Sequence, residues 1–170
     1  MLPVFRHTNY LFYCFALLFS CNPNDKVEIE KAASAFDIEQ GKASIAQSNQ
    51  NFMKAFKAAD SIEVSNSYST DGKIMIANMP VINGREQIRH FISLIMNGSQ
   101  KDFQITTLKV WGDSSILAEE GTYILADSVG EQIDKGKYIV LWKPESGNWK
   151  MFRDTWTSDL PNEASPPKTK

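Results

Sequence analysis

The stretch from Gly136 to Trp156 constrains the fold of this chain more than any other part of the sequence. It holds two runs in which apolar or aromatic residues alternate with polar ones, separated by a short segment that contains Gly147. Two such runs joined by a glycine-containing turn are typical of a β-hairpin. Several rings and one carboxylate, Asp154, lie in these runs. That composition is more typical of a pocket wall than of a plain sheet edge.

The spacing of apolar residues predicts the elements that precede this hairpin. Ile45, Asn49 and Phe52 recur at helical intervals, which indicates one face of a long first helix. The dipeptide Asp71-Gly72 is a turn signal. The predicted order is a helix at 36–59, a short helix at 61–68, a strand at 73–79, a helix at 85–96, and strands at 103–111, 115–125, 133–143 and 149–156.

Helices early in the chain and antiparallel strands late predict an α+β fold, with helices packed on one face of a strongly curved sheet. A bent sheet covered by helices forms a cone, whose open end is a natural small-molecule site. With 170 residues, the chain can form one domain with its own core. The net charge is -2 and no segment concentrates lysine and arginine, so we expect no nucleic-acid partner.

The N-terminal residues predict export. Arg6 precedes an apolar run at 10–19, which is too short to span a bilayer and is typical of a signal peptide. The segment Leu18–Cys21 resembles the lipobox of bacterial lipoproteins, with Phe19 in place of the usual small residue. This resemblance implies lipidation of Cys21 and a membrane-anchored lipoprotein of the cell envelope, on its periplasmic or outer surface. An ordinary signal peptide and an uncut N-terminal anchor are the alternatives.

Four segments are therefore predicted. They are a lipoprotein signal peptide at 1–20, a lipidated cysteine with its tether at 21–35, a folded domain at 36–158 and a flexible tail at 159–170.

Cysteine and histidine usage narrows the chemistry of the folded domain. Cys14 and Cys21 both fall in the export segment, so thiol catalysis, disulfides and cysteine–zinc sites are not expected. His90 is the single histidine of the predicted domain, which leaves a catalytic triad or a histidine-rich metal site without partners. There is no glycine-rich phosphate loop. The sequence predicts neither a metal nor a cofactor.

Two carboxylates are the candidate catalytic residues. Glu119 and Asp154 fall on predicted strands that are separated by one further strand, so their side chains can lie near each other on one face of the sheet. Burial in an apolar pocket would raise their pKa values and suit one of them to act as a general base or acid. The alternative is that each pairs with Arg153, a lysine or a backbone N–H group.

The sequence leaves open which face of the sheet the Asp154 side chain occupies. Strict alternation from Trp149 places Asp154 on the same face as Phe152 and Trp156. A β-bulge would reset the alternation, and bulges are frequent near functional sites.

Aromatic residues are the candidate wall of the pocket. Tyr68 and Tyr138 can donate hydrogen bonds to a carbonyl or an oxyanion. The alternative is that the rings are ordinary core residues. The predicted ligand-binding residues are Phe52, Tyr68, Tyr123, Tyr138, Trp142 and Trp156.

The order of these elements and several short motifs resemble the NTF2-like superfamily, and more narrowly its SnoaL-like and DUF4440-type domains, which are relatives of ketosteroid isomerase. The resemblance extends over residues 36–158. The matching motifs are Phe52 to Asp60, Tyr68–Gly72, Gly84–Ile88, Glu119–Tyr123, and Gly136–Tyr138 with Trp142, Trp149 and Asp154–Trp156.

This resemblance implies a cone-shaped, cystatin-like α+β barrel and a homodimer that packs sheet against sheet. It leaves the activity open, because one fold hosts many functions. The primary prediction is an exported lipoprotein that binds a small, partly apolar ligand in an aromatic and acidic pocket. One alternative is an enzyme of the isomerase or dehydratase type that uses Glu119 or Asp154 for proton transfer. The other is a homodimeric interaction module of the cell envelope.

Overall fold

The computed structural model of the protein describes residues 36–96 and 100–161. The predicted signal peptide, the lipidation site at Cys21, the tether and most of the predicted tail lie outside the described residues. Within the described ranges, no helix combines the length and the apolar character that crossing a membrane requires.

Residues 36–96 and 100–161 form three helices and a six-stranded sheet. The α+β class predicted from the order of elements is confirmed. The helices are α1 (Ile38–Lys57), α2 (Ser61–Asn66) and α3 (Gly84–Met96). The strands are β1 (Tyr68–Ile74), β2 (Ile82–Asn83), β3 (Gln100–Gly112), β4 (Leu117–Asp127), β5 (Gln132–Glu145) and β6 (Asn148–Ser158).

Aspartate side chains cap the first two helices. Asp37 accepts hydrogen bonds from the backbone N–H groups of Glu39 and Gln40 at the start of α1. Asp60 accepts from the N–H group of Glu63 at the start of α2. These bonds satisfy N–H groups that have no partner inside the helix, and they explain why both helices begin where they do.

The strand predicted at 73–79 is wrong in position, because β1 runs from Tyr68 to Ile74. The turn signal Asp71-Gly72 lies inside this strand, at an irregularity in its parallel pairing with β6. Pairing with a distant strand therefore outweighs the local turn preference of the dipeptide, which forms a bulge instead of a turn. The predicted second helix is also shorter than expected, since β1 begins at its last residue.

The sheet has the strand order β2-β1-β6-β5-β4-β3, and all its pairs are antiparallel except β1 with β6. It is curled but open, and the apolar sides of α1 and α3 pack against it. The buried core combines Ile45, Phe52 and Phe56 from α1, Ile88 and Ile92 from α3, and Leu117, Val140, Trp142 and Met151 from the sheet.

A bulge in β6 sets the direction of Asp154. Met151 lies opposite Trp142, whereas Arg153 lies opposite the preceding residue of β5, so β6 carries one extra residue between these positions. Strict alternation would place Met151 and Asp154 on opposite faces. Because of the bulge, both are buried on the inner face, and Asp154 is 8% exposed.

Candidate functional site

A cavity of about 130 Å³, partly open to solvent, lies between the inner face of the sheet and the helices. Aromatic rings form much of its wall. Phe103 contacts Phe52, Phe56 and Tyr123, with ring centroids 5.2 to 5.8 Å apart. The aliphatic part of the wall comes from Ile92, Ile95, Ile105, Leu125, Val140 and Met151.

The cavity brings most of the predicted site residues together. Its wall includes Phe52, Tyr68, Tyr123, Tyr138, Trp156 and the predicted catalytic residue Asp154. Trp142 and Glu119 are fully buried and do not line it. Trp142 packs in the core, where its indole N–H group donates to Glu119 at 2.9 Å. The involvement of the lining residues in ligand binding stays a prediction.

Asp154 is the buried acid of the cavity wall. The hydroxyl group of Tyr68 donates to its Oδ2 atom at 2.5 Å. Its Oδ1 atom has no hydrogen-bond partner within residues 36–96 and 100–161. Burial raises the pKa of Asp154 to about 7, and the negative charge of Glu119 acts in the same direction, while the Tyr68 hydrogen bond opposes both. The carboxyl group therefore changes its charge near neutral pH.

Glu119 lies on β4, outside the cavity lining, and its hydrogen bonds connect β4 to α1, β3 and β5. Its Oε1 atom accepts from Asn49 of α1 at 2.7 Å, from Thr107 of β3 at 2.6 Å and from Tyr138 of β5 at 2.7 Å. Its Oε2 atom accepts from Trp142 of β5. In the described part of the chain its partners are therefore neutral side chains, and not the arginine, lysine or backbone N–H group named as the alternative. This arrangement is that of a structural network.

A third carboxylate, Asp134, forms another part of the cavity wall. Its Oδ2 atom accepts from the Tyr123 hydroxyl group at 2.9 Å. Its Oδ1 atom accepts from the backbone of Lys135 at 2.7 Å and from Ser158 at 2.6 Å. Both oxygens of Asp134 are thus engaged, which distinguishes it from Asp154.

Every tyrosine on the described cavity wall donates its proton to a carboxylate. Tyr68 donates to Asp154, Tyr138 to Glu119 and Tyr123 to Asp134. Burial, together with these carboxylates, raises the pKa of each tyrosine above its usual value. A hydroxyl group has one proton to donate, so Tyr68 and Tyr138 as placed here are not free donors for a carbonyl or an oxyanion. That sequence-based expectation is corrected.

Two glycines give the tyrosine rings their space. Gly121 lies opposite Tyr138 across β4 and β5, and Gly136 lies opposite Tyr123. A Cβ atom at Gly121 would lie 2.6 Å from the Tyr138 ring, and one at Gly136 would lie 2.8 Å from the Tyr123 ring. Both rings therefore lie close against the backbone of the neighbouring strand, where a larger residue would collide with them.

Sequence reasoning missed Asn49 and Asp134 as wall residues. Asn49 had a signal, since it is a polar residue on the apolar face of α1. The signal for Asp134 was weaker. Asp134 lies two residues before Gly136 on β5, and Gly136 pairs with Tyr123 of β4. In the described residues, no cluster of three or more histidine, cysteine, aspartate or glutamate side chains is arranged to hold a metal ion.

The fold was compared with known proteins. No family model matches the chain, and no curated protein matches it in sequence. Solved structures do match. An NTF2-like protein with a cystatin-like fold from Novosphingobium aromaticivorans is 10% identical, with a TM-score of 0.65 over 85% of this chain and 95% of that one.

Two further neighbours carry names that describe an activity. A ketosteroid isomerase-like protein from Erwinia carotovora atroseptica is 17% identical, with a TM-score of 0.59 over 70% of this chain and 96% of that one. A candidate dehydratase of the NTF2-like family from Streptomyces avermitilis is 14% identical, with a TM-score of 0.62 over 74% of this chain and 100% of that one. The chain therefore has the NTF2-like, cystatin-like fold, as its sequence motifs predicted.

Proposed function

We propose that this protein binds a small, largely apolar molecule in the cavity, with Asp154 as its polar contact. One observation supports this proposal most directly. A carboxyl group, one of whose oxygens has no partner among the described residues, lies on the wall of a cavity that is otherwise mostly aromatic and aliphatic. Ligand sites commonly combine an apolar wall with a few convergent polar groups.

The cavity volume limits the size of the buried ligand. An engineered protein cavity of about 150 Å³ binds benzene, whereas pockets for drug-sized ligands occupy roughly 300–1,000 Å³. The cavity of about 130 Å³ is close to the smaller value. The part of the ligand that enters it is therefore one ring or a short chain.

A cavity-filling variant tests this proposal. Leu125 lines the cavity, while Leu94 is exposed on α3. We expect toluene or benzylamine to raise the melting temperature of the full-length chain and of Leu94→Phe, because a ligand that binds only the folded state stabilises it. The rise should be lost in Leu125→Phe, where the added ring occupies the cavity. An equal rise in both variants would place ligand binding elsewhere.

Proton transfer by Asp154 is a second candidate function. A base whose pKa lies near neutral pH is suited to remove a proton from one carbon of a bound carbonyl compound and return it to another. The pKa of about 7 and the free Oδ1 atom favour this role, and two structural neighbours are named as isomerase-like or as a candidate dehydratase. Glu119 is less suited to it, since its oxygens are engaged in the network behind the wall.

Isotope exchange separates an enzyme from a binding protein without knowledge of the product. We expect the full-length protein to accelerate deuterium incorporation next to the carbonyl of cyclopentanone in D₂O, followed by NMR. Asp154→Asn should reduce the exchange to the background rate. Binding of the ketone without accelerated exchange would eliminate the proton-transfer candidate and leave the binding proposal intact.

Self-association is a third candidate function, carried by the outer face of the sheet. Leu108 and Ile139 are exposed there, beside Thr122 and Thr155. Such a face suits packing against a second copy of the same chain, as the family resemblance implies. Sedimentation equilibrium should give a dimer for the wild type and a monomer for Ile139→Lys. A monomeric wild type would contradict this candidate.

We further propose that Cys21 is lipidated and that the protein resides in the cell envelope. The support is the segment Leu18–Cys21 and the apolar run before it. Metabolic labelling with a fatty acid should mark the wild type and leave Cys21→Ser unlabelled. Labelling of both forms, or of neither, would contradict a lipid anchor at this residue.

A further inference from the structure

Acidic groups on the cavity wall lack basic counterparts. Asp154 and Asp134 both line the cavity. Among the described lining residues there is no lysine, arginine or histidine. A wall of this kind disfavours an anionic ligand, because no positive side chain compensates for its charge.

Most hydrogen-bond donors of the wall are already engaged. The hydroxyl groups of Tyr68, Tyr123 and Tyr138 donate to carboxylates. The amide nitrogen of Asn49 donates to Glu119 at 2.7 Å and to Thr107 at 3.4 Å. In the part of the chain that the structure describes, the indole N–H group of Trp156 is the wall donor that remains without a partner. The open positions of the wall are therefore mainly acceptors.

The Oδ1 atom of Asp154 is the acceptor that most needs a partner. Asp154 is more than nine-tenths buried, and among the described residues the donor to its carboxyl group is Tyr68, which contacts the other oxygen. A buried acceptor without a donor costs free energy, and a charged one costs more than a neutral one. A donor brought by the ligand would remove this cost at the point where the cavity is least satisfied.

The aromatic part of the wall adds attraction for a positive group. Phe52, Phe56 and Phe103 lie around the cavity with Tyr123. The face of an aromatic ring carries partial negative charge and attracts ammonium groups. Rings and carboxylates thus favour the same sign of charge in the ligand.

We infer that the cavity binds a small organic amine, whose ammonium or N–H group donates to Oδ1 of Asp154 and whose apolar body lies among the aromatic rings. This inference rests on the proposed function, since it requires that the cavity hold a ligand. It adds the charge and the hydrogen-bonding direction of that ligand. The amine nitrogen reaches the acid of the wall, and one ring or a short alkyl chain fills the remaining space.

Four probes of similar size but different polar groups test the inference. Benzylamine, benzyl alcohol, toluene and benzoate are titrated into the full-length protein at pH 8, where Asp154 is mostly ionised, and binding is measured by calorimetry. Benzylamine should bind at least tenfold more tightly than toluene or benzyl alcohol, and benzoate should bind least.

Two variants test whether Asp154 causes the preference for benzylamine. Asp154→Asn should weaken benzylamine binding at least tenfold and change toluene binding by less than twofold. Glu120→Gln is the control, because Glu120 lies opposite Ile139 on the outer face of the same sheet, and it should leave all affinities unchanged.

The possible outcomes separate this inference from the proposed function. Toluene binding as tight as benzylamine binding, or tightest binding of benzoate, overturns the inference and leaves the cavity as a ligand site. The absence of binding by every probe overturns both. If Asp154→Asn does not fold, the comparison of the four probes on the wild type still decides the charge preference.

Discussion

Glu119 and Asp154 are both buried carboxylates on the inner face of one sheet, yet their surroundings differ. Glu119 accepts hydrogen bonds from Asn49, Thr107, Tyr138 and Trp142. Within the described residues, Asp154 accepts one hydrogen bond, from Tyr68, and its other oxygen lies on the cavity wall without a donor.

A buried polar group with all its partners in place stabilises and specifies a fold, whereas one that lacks a partner costs stability. Burial alone therefore does not identify a functional acid. What distinguishes Asp154, in the part of the chain that the structure describes, is an oxygen without a donor on the cavity wall.

The largest expected effect concerns Glu119. In Glu119→Leu, the donors that surround the carboxylate lose their acceptor inside the protein, so the free energy of unfolding should fall by at least about 3 kcal/mol. Urea denaturation measures the loss. Glu120→Leu, at the adjacent position of β4, is the matched control and should change it by about 0.5 kcal/mol or less. A loss in Glu119→Leu as small as that expected for the control would show that the network around Glu119 adds little stability.

The next effect is a pH dependence that belongs to Asp154. Its pKa is about 7 in the folded protein against an ordinary value of 3.8, so the folded state holds this proton at pH values where the unfolded state has released it. The contribution of Asp154 to stability is therefore complete below about pH 4 and is lost as the pH rises to about 7. Over this range the free energy of unfolding should fall by up to about 1.4 kcal/mol per pH unit.

Asp154→Asn isolates this contribution, because it keeps the shape of the side chain and removes its titration. Denaturation of both proteins at several pH values between 4 and 8 should show the wild type losing stability relative to the variant as the pH rises. Parallel curves would mean that Asp154 titrates at an ordinary pKa and that the cavity does not desolvate it.

A smaller effect is expected when the tyrosine partner of each carboxylate is replaced. Tyr68→Phe removes the hydrogen bond that lowers the pKa of Asp154, so an NMR titration should show that pKa shifted upward. Tyr138→Phe leaves Glu119 with its other donors and should lower the free energy of unfolding by about 1 kcal/mol. If Tyr138→Phe shifts the titration of Asp154 as much as Tyr68→Phe does, the two carboxylates are more tightly coupled than their separate partners indicate.

The smallest effect is expected at a carboxylate nearer the surface. Glu145 accepts from the backbone and hydroxyl group of Thr70 and pairs with Arg85 at 2.9 Å. The backbone N–H group of Thr70 is the main cause that lowers the pKa of Glu145. Water can replace these partners, so Glu145→Gln should cost about 1 kcal/mol or less in urea denaturation. A loss as large as that of Glu119→Leu would remove the contrast between buried and accessible carboxylates.

Much of the architecture follows from local patterns in the chain. The apolar spacing of α1 and the alternating runs of the last strands predicted the first helix and the antiparallel meander. The strand β1 was misplaced, because its position depends on parallel pairing with β6 and not on its own residues.

Local patterns were less informative about the site. They identified most of the rings that line the cavity, but not Phe103, and they included Trp142, which lies in the core. They identified both central carboxylates, but not the different roles of Glu119 and Asp154. They also suggested free tyrosine donors, whereas the hydroxyl groups of Tyr68 and Tyr138 are committed to those carboxylates.

The sequence by itself determined the class of fold and the supply of aromatic and acidic side chains, because helical spacing and strand alternation are properties of neighbouring residues. Tertiary structure alone decided which acid meets the cavity. The bulge in β6 turned Asp154 inward, and the packing of α1 against β3 supplied Asn49 and Thr107 to Glu119. Both depend on contacts between residues far apart in the chain, for which no local pattern sets the register or the hydrogen-bond partners.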